Sequence, residues 1–362
     1  MTGLERVLTA LGRGEPDRVP VWELIVNEPV IHELYGDVSY WDFVERLDLD
    51  GLTIFEDQRV VAWINQDTYR DEWGIVWKIA PNGIAYPSGG PIREERDLDR
   101  YAPPDPDADH RLRSLEAAAK RFKGEKALVF LGHETFEFCH YLLGGMDKLF
   151  LNYVLNPAFV DRLSEMIWTY KSRVLARAAE VGADILLTGD DYASRNGTLM
   201  SPTHFERFVL PYLTRAVAVA HAHKRPFIKH TDGNLWKVMD MLVGTGLNGL
   251  DPIEPMAGMD IGAVKAQYGD RIAVIGNVDC TEILPHGSRQ DVVDAVKETL
   301  AKASVGGGHI LASSNSIHPG VNPENYRTMV QAAREFGVYP LDPKMVETYR
   351  TQDYMAKWVH ET

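Results

Sequence analysis

Eight short apolar runs that alternate with segments of helical periodicity predict a (β/α)8 barrel. The runs interpreted as strands are Val19–Glu23, Gly51–Glu56, Ala127–Glu134, Ala183–Asp191, Pro226–Asp232, Gly246–Glu254, Arg271–Asp279 and His309–Ile317. Between them apolar residues recur every three or four positions, as one buried helix face requires. A doubly wound open sheet is the alternative, although the chain lacks both a GxGxxG after the first strand and a GxxxxGK[ST] phosphate loop.

The helices predicted from this periodicity are Trp41–Leu47, Arg111–Arg121, Ala158–Ala179, Pro202–His223, Leu235–Val243, Asp260–Tyr268 and Gln290–Ala303. Two of them begin with a capping residue before proline, at Asn156-Pro157 and Ser201-Pro202. Gly182 and Gly306–Gly308 stand where helices should end and strands begin.

Composition and charge narrow the class of protein. The chain has 362 residues, enough for one large barrel with additions. Its net charge of 38 − 52 = −14 argues against a nucleic-acid-binding surface. Two isolated cysteines, Cys139 and Cys280, fit a reducing compartment. We expect a cytoplasmic protein that does not enter a membrane, because the N-terminus lacks a signal-peptide pattern and no apolar run approaches about 20 residues.

One segment, Asn65–Asp107, interrupts the alternation with tryptophans, glycines and a Pro- and Asp-rich cluster. We interpret it as an insertion after the second strand, a hairpin followed by a loop, that forms either a lid over the barrel mouth or a plain surface hairpin. The tail Tyr339–Thr362 is predicted to be a packing helix or an oligomer contact. The whole chain, 1–362, is predicted to be a single barrel domain.

The ends of the predicted strands are rich in ionisable and amide side chains, which is where barrels of this class carry their catalytic residues. Buried ionisable groups are costly unless they are paired or coordinated, so packing alone does not explain them. They are Glu23, Glu56, Asp57, His133, Glu134, Asp190, Asp191, His230, Asp232, Asp251, Glu254, Asn277, Asp279, Asn315 and His318. Of these, Asp279 before Cys280-Thr281-Glu282 is more typical of a helix N-cap.

The sharpest pair is His230 and Asp232, because residues i and i+2 of a strand project to the same side. Imidazole nitrogen with carboxylate oxygen suits zinc or another divalent ion. The alternative is a His–Asp hydrogen bond that orients the imidazole. Asp190 and Asp191 point opposite ways on a strand, so one of them is expected to face the pocket as metal ligand, substrate anchor or general acid–base. His318 is either a substrate contact or an exposed loop residue.

Blocks that cover most of the chain, apart from the insertion and the tail, resemble the uroporphyrinogen decarboxylase superfamily. They include Gly14-Glu15-Pro16-Asp17-Arg18-Val19-Pro20, Asp190-Asp191 followed by Asn196-Gly197 and Leu199-Met200-Ser201-Pro202, Gly276-Asn277-Val278-Asp279, Gly306–Leu311 and Asn322-Pro323-Glu324-Asn325. The resemblance implies a (β/α)8 barrel and is compatible with a homodimer.

Two branches of this superfamily differ in their motifs. The decarboxylases carry an arginine-rich motif after the first strand, where this chain has the acidic Glu23–Pro29. The other branch contains zinc methyltransferases that work with corrinoid proteins and bind zinc through His-x-Cys and a later Cys. Here the matching positions are His230, Asp232 and Asn315. The resemblance therefore implies a nitrogen and oxygen shell, completed by one of Glu134, Asp190 or Asp191.

The resulting hypothesis is a metal-dependent demethylase component that moves a methyl group between a small methoxylated substrate and a corrinoid carried by a partner protein. An oxygen-rich site suits Lewis-acid activation of an oxygen or nitrogen substrate. The assigned residues are His230, Asp232 and Asn315 for zinc or another divalent metal, Asp190 and His230 for catalysis, and Tyr192, Asn277 and His318 for substrate. A decarboxylase or lyase of a small acid and a non-catalytic ligand-binding barrel remain the alternatives.

Overall fold

A curled sheet of seven parallel strands forms the centre of the molecule in a computed structural model that describes residues 1–358. In chain order the strands are β1 (Gly51–Phe55), β2 (Val60–Trp63), β3 (Thr68–Asp71), β4 (Val76–Ile79), β5 (Ala85–Gly89), β6 (Ala127–Gly132), β7 (Ile185–Thr188), β8 (Ala193–Ser194), β9 (Gly197–Thr198), β10 (Phe227–His230), β11 (Gly249–Asp251), β12 (Ala273–Val278) and β13 (His309–Ser313). The central sheet has the order β1-β6-β7-β10-β11-β12-β13. The predicted (β/α)8 architecture is confirmed.

Helices surround this sheet. They are α1 (Gly3–Leu11), α2 (Glu28–Tyr35), α3 (Tyr40–Arg46), α4 (Arg113–Phe122), α5 (Phe136–Leu143), α6 (Met146–Leu155), α7 (Pro157–Val181), α8 (Pro202–Phe208), α9 (Leu210–Ala222), α10 (Met239–Gly244), α11 (Ile261–Tyr268), α12 (Ile283–His286), α13 (Arg289–Ala303), α14 (Pro323–Phe336) and α15 (Pro343–Tyr349). Short 3₁₀ turns occupy Glu95–Asp99, Pro255–Ala257 and Tyr354–Lys357. Over residues 1–358, none of the helices combines the length and the apolarity needed to cross a membrane.

Capping explains where two of these helices begin. The Asn156 side chain accepts the backbone N–H of Phe159 at α7, and the Ser201 hydroxyl accepts that of His204 at α8, as predicted. The predicted helix Pro202–His223 is instead two helices, α8 and α9. The break precedes Pro211, which lacks the N–H that a continuous helix would need there.

The first predicted strand, Val19–Glu23, is not a regular strand. Its segment lies between β13 and the residues just before β1, and it closes the barrel through isolated backbone hydrogen bonds to each of them. The N–H of Leu311 donates to the carbonyl of Pro20 at 2.9 Å, and the N–H of Asp50 donates to the carbonyl of Val21 at 2.9 Å. A full ladder does not form, because Pro20 has no N–H to contribute.

Alternate residues of the barrel strands point inward and outward. The inward set forms a small central cluster that includes Val129, Leu187, Ile228 and Ile275. Helix α1 adds Val7, Ala10 and Leu11 to this cluster. Its Leu4 N–H donates to the carbonyl of Glu125, just before β6 begins, so α1 covers the amino-terminal end of the barrel. The carboxyl ends of the strands are left as the open mouth.

The insertion is larger than predicted. Four antiparallel strands, β2-β3-β4-β5, replace the expected hairpin, and they begin at Val60 rather than at Asn65. All four residues of β2 are exposed, so this strand carries no alternation of burial by which its sequence could be recognised. Buried Trp73 anchors the sheet, with its ring 4.5 Å from that of Tyr170 on α7. The lid function stays a prediction.

The tail, predicted to be a packing helix or an oligomer contact, lies against α13 in its described part. The hydroxyl of Tyr349 on α15 donates to Asp294 on α13 at 2.9 Å, and the Tyr354 N–H donates to Glu298 at 2.8 Å. The last four residues of the predicted tail, 359–362, lie outside the described residues.

Buried His309, the first residue of β13, should make the stability of the protein depend on pH. Burial lowers the pKa of His309 to about 3 from its ordinary 6.5, against the opposing effect of the Gly276 carbonyl. The folded state therefore keeps this ring neutral where the unfolded chain protonates it, so stability is complete above pH 6.5 and falls as the pH drops towards 3. Between pH 7.5 and 4.5 the native protein should lose about 2–3 kcal/mol more unfolding free energy than His309→Gln.

Urea unfolding followed by circular dichroism at the two pH values measures this difference. Exposed His32 on α2 provides the matched control, and His32→Gln should behave as the native protein does. Equal pH dependence in the native protein and His309→Gln would contradict the prediction.

Buried Arg111 joins the insertion to the barrel, so its removal should be costly. Its Nη2 donates to Glu72 Oε2 at 2.8 Å and its Nε donates to the Asp105 carbonyl at 3.0 Å. Arg111→Met leaves the Glu72 carboxylate without its guanidinium partner, and we expect a loss of about 3–5 kcal/mol in urea unfolding. Arg215→Met, which removes the exposed ion pair with Glu165, should cost less than about 1 kcal/mol. Similar losses for the two variants would refute this role for Arg111.

Candidate functional site

A cavity of about 560 Å³ opens at the mouth of the barrel. Loops after β10, β11, β12 and β13 supply its polar wall with Asp232, Glu254, Thr281, Asn315 and His318. Ile84, in the turn between β4 and β5, reaches the same cavity, so the inserted sheet forms part of its rim. The strand-end residues singled out in the sequence therefore meet here in part, as the geometry of a parallel barrel requires.

The imidazole of His230 is fixed by the neighbouring strand. His230 lies opposite Asp251 in the register of β10 and β11, and its Nδ1 is 2.6 Å from Asp251 Oδ2. Burial opposes the charged ring, but the hydrogen bond and the charges of Asp251, Asp191 and Asp232 raise the pKa of His230. Within residues 1–358 its Nε2 makes no hydrogen bond. A buried carboxylate thus orients the ring and leaves the second nitrogen available.

Asp232 and Asn315 meet, as the prediction of a shared site requires. The amide nitrogen of Asn315 donates to Asp232 Oδ2, while Asn315 Oδ1 accepts the N–H of Ser316 at 2.7 Å. In this orientation the amide of Asn315 presents a donor to Asp232 and its oxygen is turned away. Burial and the nearby Glu254 raise the pKa of Asp232.

The two aspartates after β7 have different surroundings. Asp190 is fully buried, and its oxygens accept the backbone N–H groups of Glu134 and Glu137, at the start of α5. Burial would raise the pKa of Asp190, but the hydrogen bond and charge of His133 lower it below its ordinary range. Asp190 therefore stabilises a helix N-terminus, an arrangement that favours a carboxylate. The catalytic role predicted for it has no support from this position.

Asp191 lies instead beside the His230 and Asp232 pair. Burial and the charge of Asp232 raise the pKa of Asp191 to about 6, against the opposing charge of His230. Its Oδ1 is buried and has no hydrogen-bond partner among residues 1–358. Tyr192 N–H donates to Thr231 Oγ1 at 2.9 Å, which holds this loop against the one that follows β10. Alternation along the strand predicted that one of the two aspartates faces the interior of the barrel. In the structure Asp191 is the one that lies beside His230.

Tyr192 does not line the mouth cavity. It is fully buried on the helix side of the sheet, where its hydroxyl donates to Glu134 Oε2 at 2.9 Å. Lys229 Nζ donates to the same carboxylate at 3.1 Å. Burial raises the pKa of Glu134 to about 7, with Lys229 opposing this shift. The sequence analysis did not single out Lys229. A lysine in the middle of a predicted barrel strand, Phe227-Ile228-Lys229-His230, was the sign that could have identified it.

The remaining predicted site residues lie in different places. Asn277 faces α13, where its Oδ1 accepts the hydroxyl of Thr299 at 3.0 Å, and it borders a separate cavity behind the sheet. His318 does line the mouth, with Nε2 2.8 Å from the Cys280 carbonyl and Nδ1 accepting the N–H of Gly320. The N-cap role predicted for Asp279 is wrong, because α12 begins at Ile283 and its N-cap residue is Glu282. The Asp279 carboxylate instead accepts the N–H groups of Thr281 and Glu282 in the turn before this helix.

Three side chains outside the mouth also come close enough to share an ion. His133, Glu137 and Asp190 offer ligand atoms within 4.8 Å of one another. Hydrogen bonds already account for this arrangement: His133 Nδ1 is 2.9 Å from Asp190 Oδ1, and Tyr141 donates to Glu137 at 2.7 Å. The N-terminus of α5 beside them carries positive dipole charge, which disfavours a cation.

Comparisons with known proteins agree with the fold and extend it to a family. The family model "Uroporphyrinogen decarboxylase (URO-D)" matches residues 41–336. Two similar proteins, both named uroporphyrinogen decarboxylase, come from Psychromonas ingrahamii (24% identical) and Myxococcus xanthus (26% identical). Each alignment covers 92% of this chain and 97% of the relative.

Among solved structures, a methyltransferase from Methanosarcina mazei has the same fold. Its TM-score is 0.72 at 20% sequence identity, and the match covers 93% of this chain and 99% of that one. The family match extends over most of the barrel, including β10 with His230 and the loops that form the mouth. The protein belongs to the uroporphyrinogen decarboxylase family of enzymes.

Proposed function

We propose that this protein is a metal-dependent methyltransferase component that moves a methyl group between a small methoxylated substrate and a corrinoid carried by a partner protein. The observation that carries the proposal is the contact between His230 Nδ1 and Asp251 Oδ2 at 2.6 Å, which leaves Nε2 without a partner among residues 1–358. Histidines that ligate metals characteristically donate their other ring nitrogen to a carboxylate or carbonyl in this way.

The donors around His230 are of the kinds that a divalent ion takes, but they would have to draw closer to surround one. Within residues 1–358, the group of three side chains whose ligand atoms lie within 4.8 Å of one another is His133, Glu137 and Asp190. Asp232 supplies a carboxylate on the same strand end, and Asp191 supplies a buried oxygen that has no hydrogen-bond partner in the described chain. An unpaired carboxylate oxygen in a buried place is costly, and a cation would relieve that cost. Asn315 would join the set through its oxygen only after its amide turned over.

When bound, zinc or a similar ion would supply Lewis-acid polarisation of the substrate oxygen that carries the methyl group. The chain itself holds the imidazole of His230 in place through Asp251. It also provides an apolar wall for the body of the substrate through Ile25, Ile84 and Ala193. A shell of nitrogen and oxygen, without thiolate, suits such an oxygen substrate better than a thiol.

The comparisons support the proposal at the level of fold and class. The Methanosarcina mazei protein whose fold matches is named a methyltransferase, while the bacterial relatives are named uroporphyrinogen decarboxylases. The corrinoid partner and the methoxylated substrate are part of the proposal and follow from the motif positions His230, Asp232 and Asn315.

A decarboxylase of a small acid is the second candidate, favoured by the names of the bacterial relatives. A polycarboxylate such as a porphyrinogen fits this mouth poorly. Asp232 and Glu254 line the cavity, while Arg195 is its one lysine or arginine over residues 1–358. Several carboxylates on a ligand would meet repulsion there.

Metal content tests the proposed ligands. The purified untagged protein should carry about one zinc or other divalent ion per chain, measured by elemental mass spectrometry. His230→Ala and Asp232→Ala should each lose it, because each removes a ligand atom. His318→Ala is the matched control and should retain the metal, since both ring nitrogens of His318 are occupied by backbone groups. A protein that stays metal-free after zinc is supplied would refute the proposed chemistry.

Turnover tests the reaction itself. With cob(I)alamin and methoxylated aromatic substrates, absorbance should report substrate-dependent formation of methylcobalamin. Asp251→Asn should lower the rate or the metal affinity about 10- to 100-fold, because the imidazole loses its orienting carboxylate. Release of carbon dioxide from a small acid without any corrinoid would instead establish the decarboxylase.

A further inference from the structure

The charges around the mouth cavity are unevenly distributed. Asp232 and Glu254 lie on one wall, and Arg195 is the single lysine or arginine that borders the cavity in the described part of the chain. Ile25, Ile84 and Ala193 form an apolar surface between these groups. A ligand that fills this space therefore meets a cation at one position, apolar side chains along its body, and an acidic region elsewhere.

Backbone contacts hold the loop that carries Arg195 in place. Arg195 lies in the turn of the small hairpin formed by β8 and β9, and the N–H of Asn234 donates to the Ser194 carbonyl at 2.8 Å. The hairpin packs so closely on Gly233 that a Cβ there would lie 2.7 Å from the carbonyl carbon of Ala193. Gly233 directly follows Asp232, so the position of Arg195 is fixed relative to the loop that bears this proposed ligand.

The guanidinium of Arg195 has N–H donors that no residue of the described chain uses. Its Nε lies 3.3 Å from Glu254 Oε1, and its two terminal nitrogens make no hydrogen bond to residues 1–358. The other oxygen of Glu254 accepts the N–H of Gly233 at 2.8 Å, so a backbone hydrogen bond fixes the position of this carboxylate. The Arg195 side chain is 48% exposed, whereas that of Glu254 is 10% exposed. The free edge of the guanidinium is therefore accessible to a ligand.

We infer that Arg195 is a specificity-determining residue that binds a single carboxylate of the substrate. A guanidinium edge matches a carboxylate through two parallel hydrogen bonds, which a neutral amide cannot reproduce. One cation among several carboxylates admits one anionic group and disfavours a second. The substrate class is thus a monocarboxylate with an apolar body. The assignment of its far end to methyl transfer rests on the proposed function, whereas the anchor does not.

Binding of a matched pair of probes tests this inference without turnover. The pair is 4-methoxybenzoate and 4-methoxybenzamide, which have nearly the same shape but differ in charge at pH 7.5. By isothermal titration calorimetry the native protein should bind the acid at least about tenfold more tightly than the amide, as expected for a charge-assisted hydrogen bond. Arg195→Ala should weaken acid binding about tenfold and change amide binding by less than about twofold.

A matched control and a conservative variant keep the result interpretable. Arg173 is equally exposed at 48% and pairs with Asp107 on the outer surface, so Arg173→Ala should preserve the preference for the acid. Arg195→Lys should recover part of it, because the charge returns without the planar fork. Thermal unfolding of each variant shows whether it has folded, and Arg195→Lys provides the test if Arg195→Ala has not.

Several outcomes would overturn the inference. They are equal binding of the acid and the amide by the native protein, an equal loss of both in Arg195→Ala, and no detectable binding of the acid. His230→Ala separates this inference from the proposed function, because it removes a proposed metal ligand but leaves Arg195 untouched. A preserved preference for the acid in His230→Ala supports the anchor even when methyl transfer is absent from the native protein.

Discussion

Alternation of side chains along the parallel strands of the barrel is the constraint on which the site depends. Ile228 belongs to the cluster at the centre of the barrel, so His230, two residues further along β10, points to the same side. Lys229 between them points to the helix layer and meets Glu134. The register of β10 with β11 then sets His230 opposite Asp251. Strand alternation thus determines the direction of the imidazole, and strand register determines its partner.

The same alternation separates two groups of buried charges. On the helix side, Glu134 has Lys229, Thr188 and Tyr192 as partners, and Asp190 has His133 and two backbone N–H groups. These acids are compensated by the protein itself. Beside His230 and Asp232, Asp191 keeps a buried oxygen without a partner over residues 1–358. This difference in compensation is why we propose the cation site beside His230 and interpret the group of His133, Glu137 and Asp190 as structural.

Elements outside the regular barrel give the mouth its shape. The inserted sheet reaches the cavity through Ile84, and the β8–β9 hairpin brings Arg195 to its edge. Both are anchored by buried contacts, the insertion through Trp73 and Arg111 and the hairpin through Gly233. Loops held by a rigid scaffold are where barrels of this class vary their substrates. Selectivity is therefore expected to come from these additions more than from the strands.

The sequence by itself determined the barrel, its seven regular strands and the helix caps at Asn156 and Ser201, because these follow from local periodicity and spacing. It also identified His318 and Asn315 as neighbours of the mouth. Tertiary structure decided what local patterns leave open. Strand β7 ends at Thr188, so only the folded loop shows that Asp191, and not Asp190, accompanies His230.

Tertiary structure likewise placed Tyr192 and Asn277 on the helix side of the sheet, and it extended the insertion to four strands. The partner of His230 depends on strand register, and the isolation of Arg195 depends on which loops surround the cavity. Contacts between residues far apart in sequence decide both, and periodicity within a single segment carries no information about them.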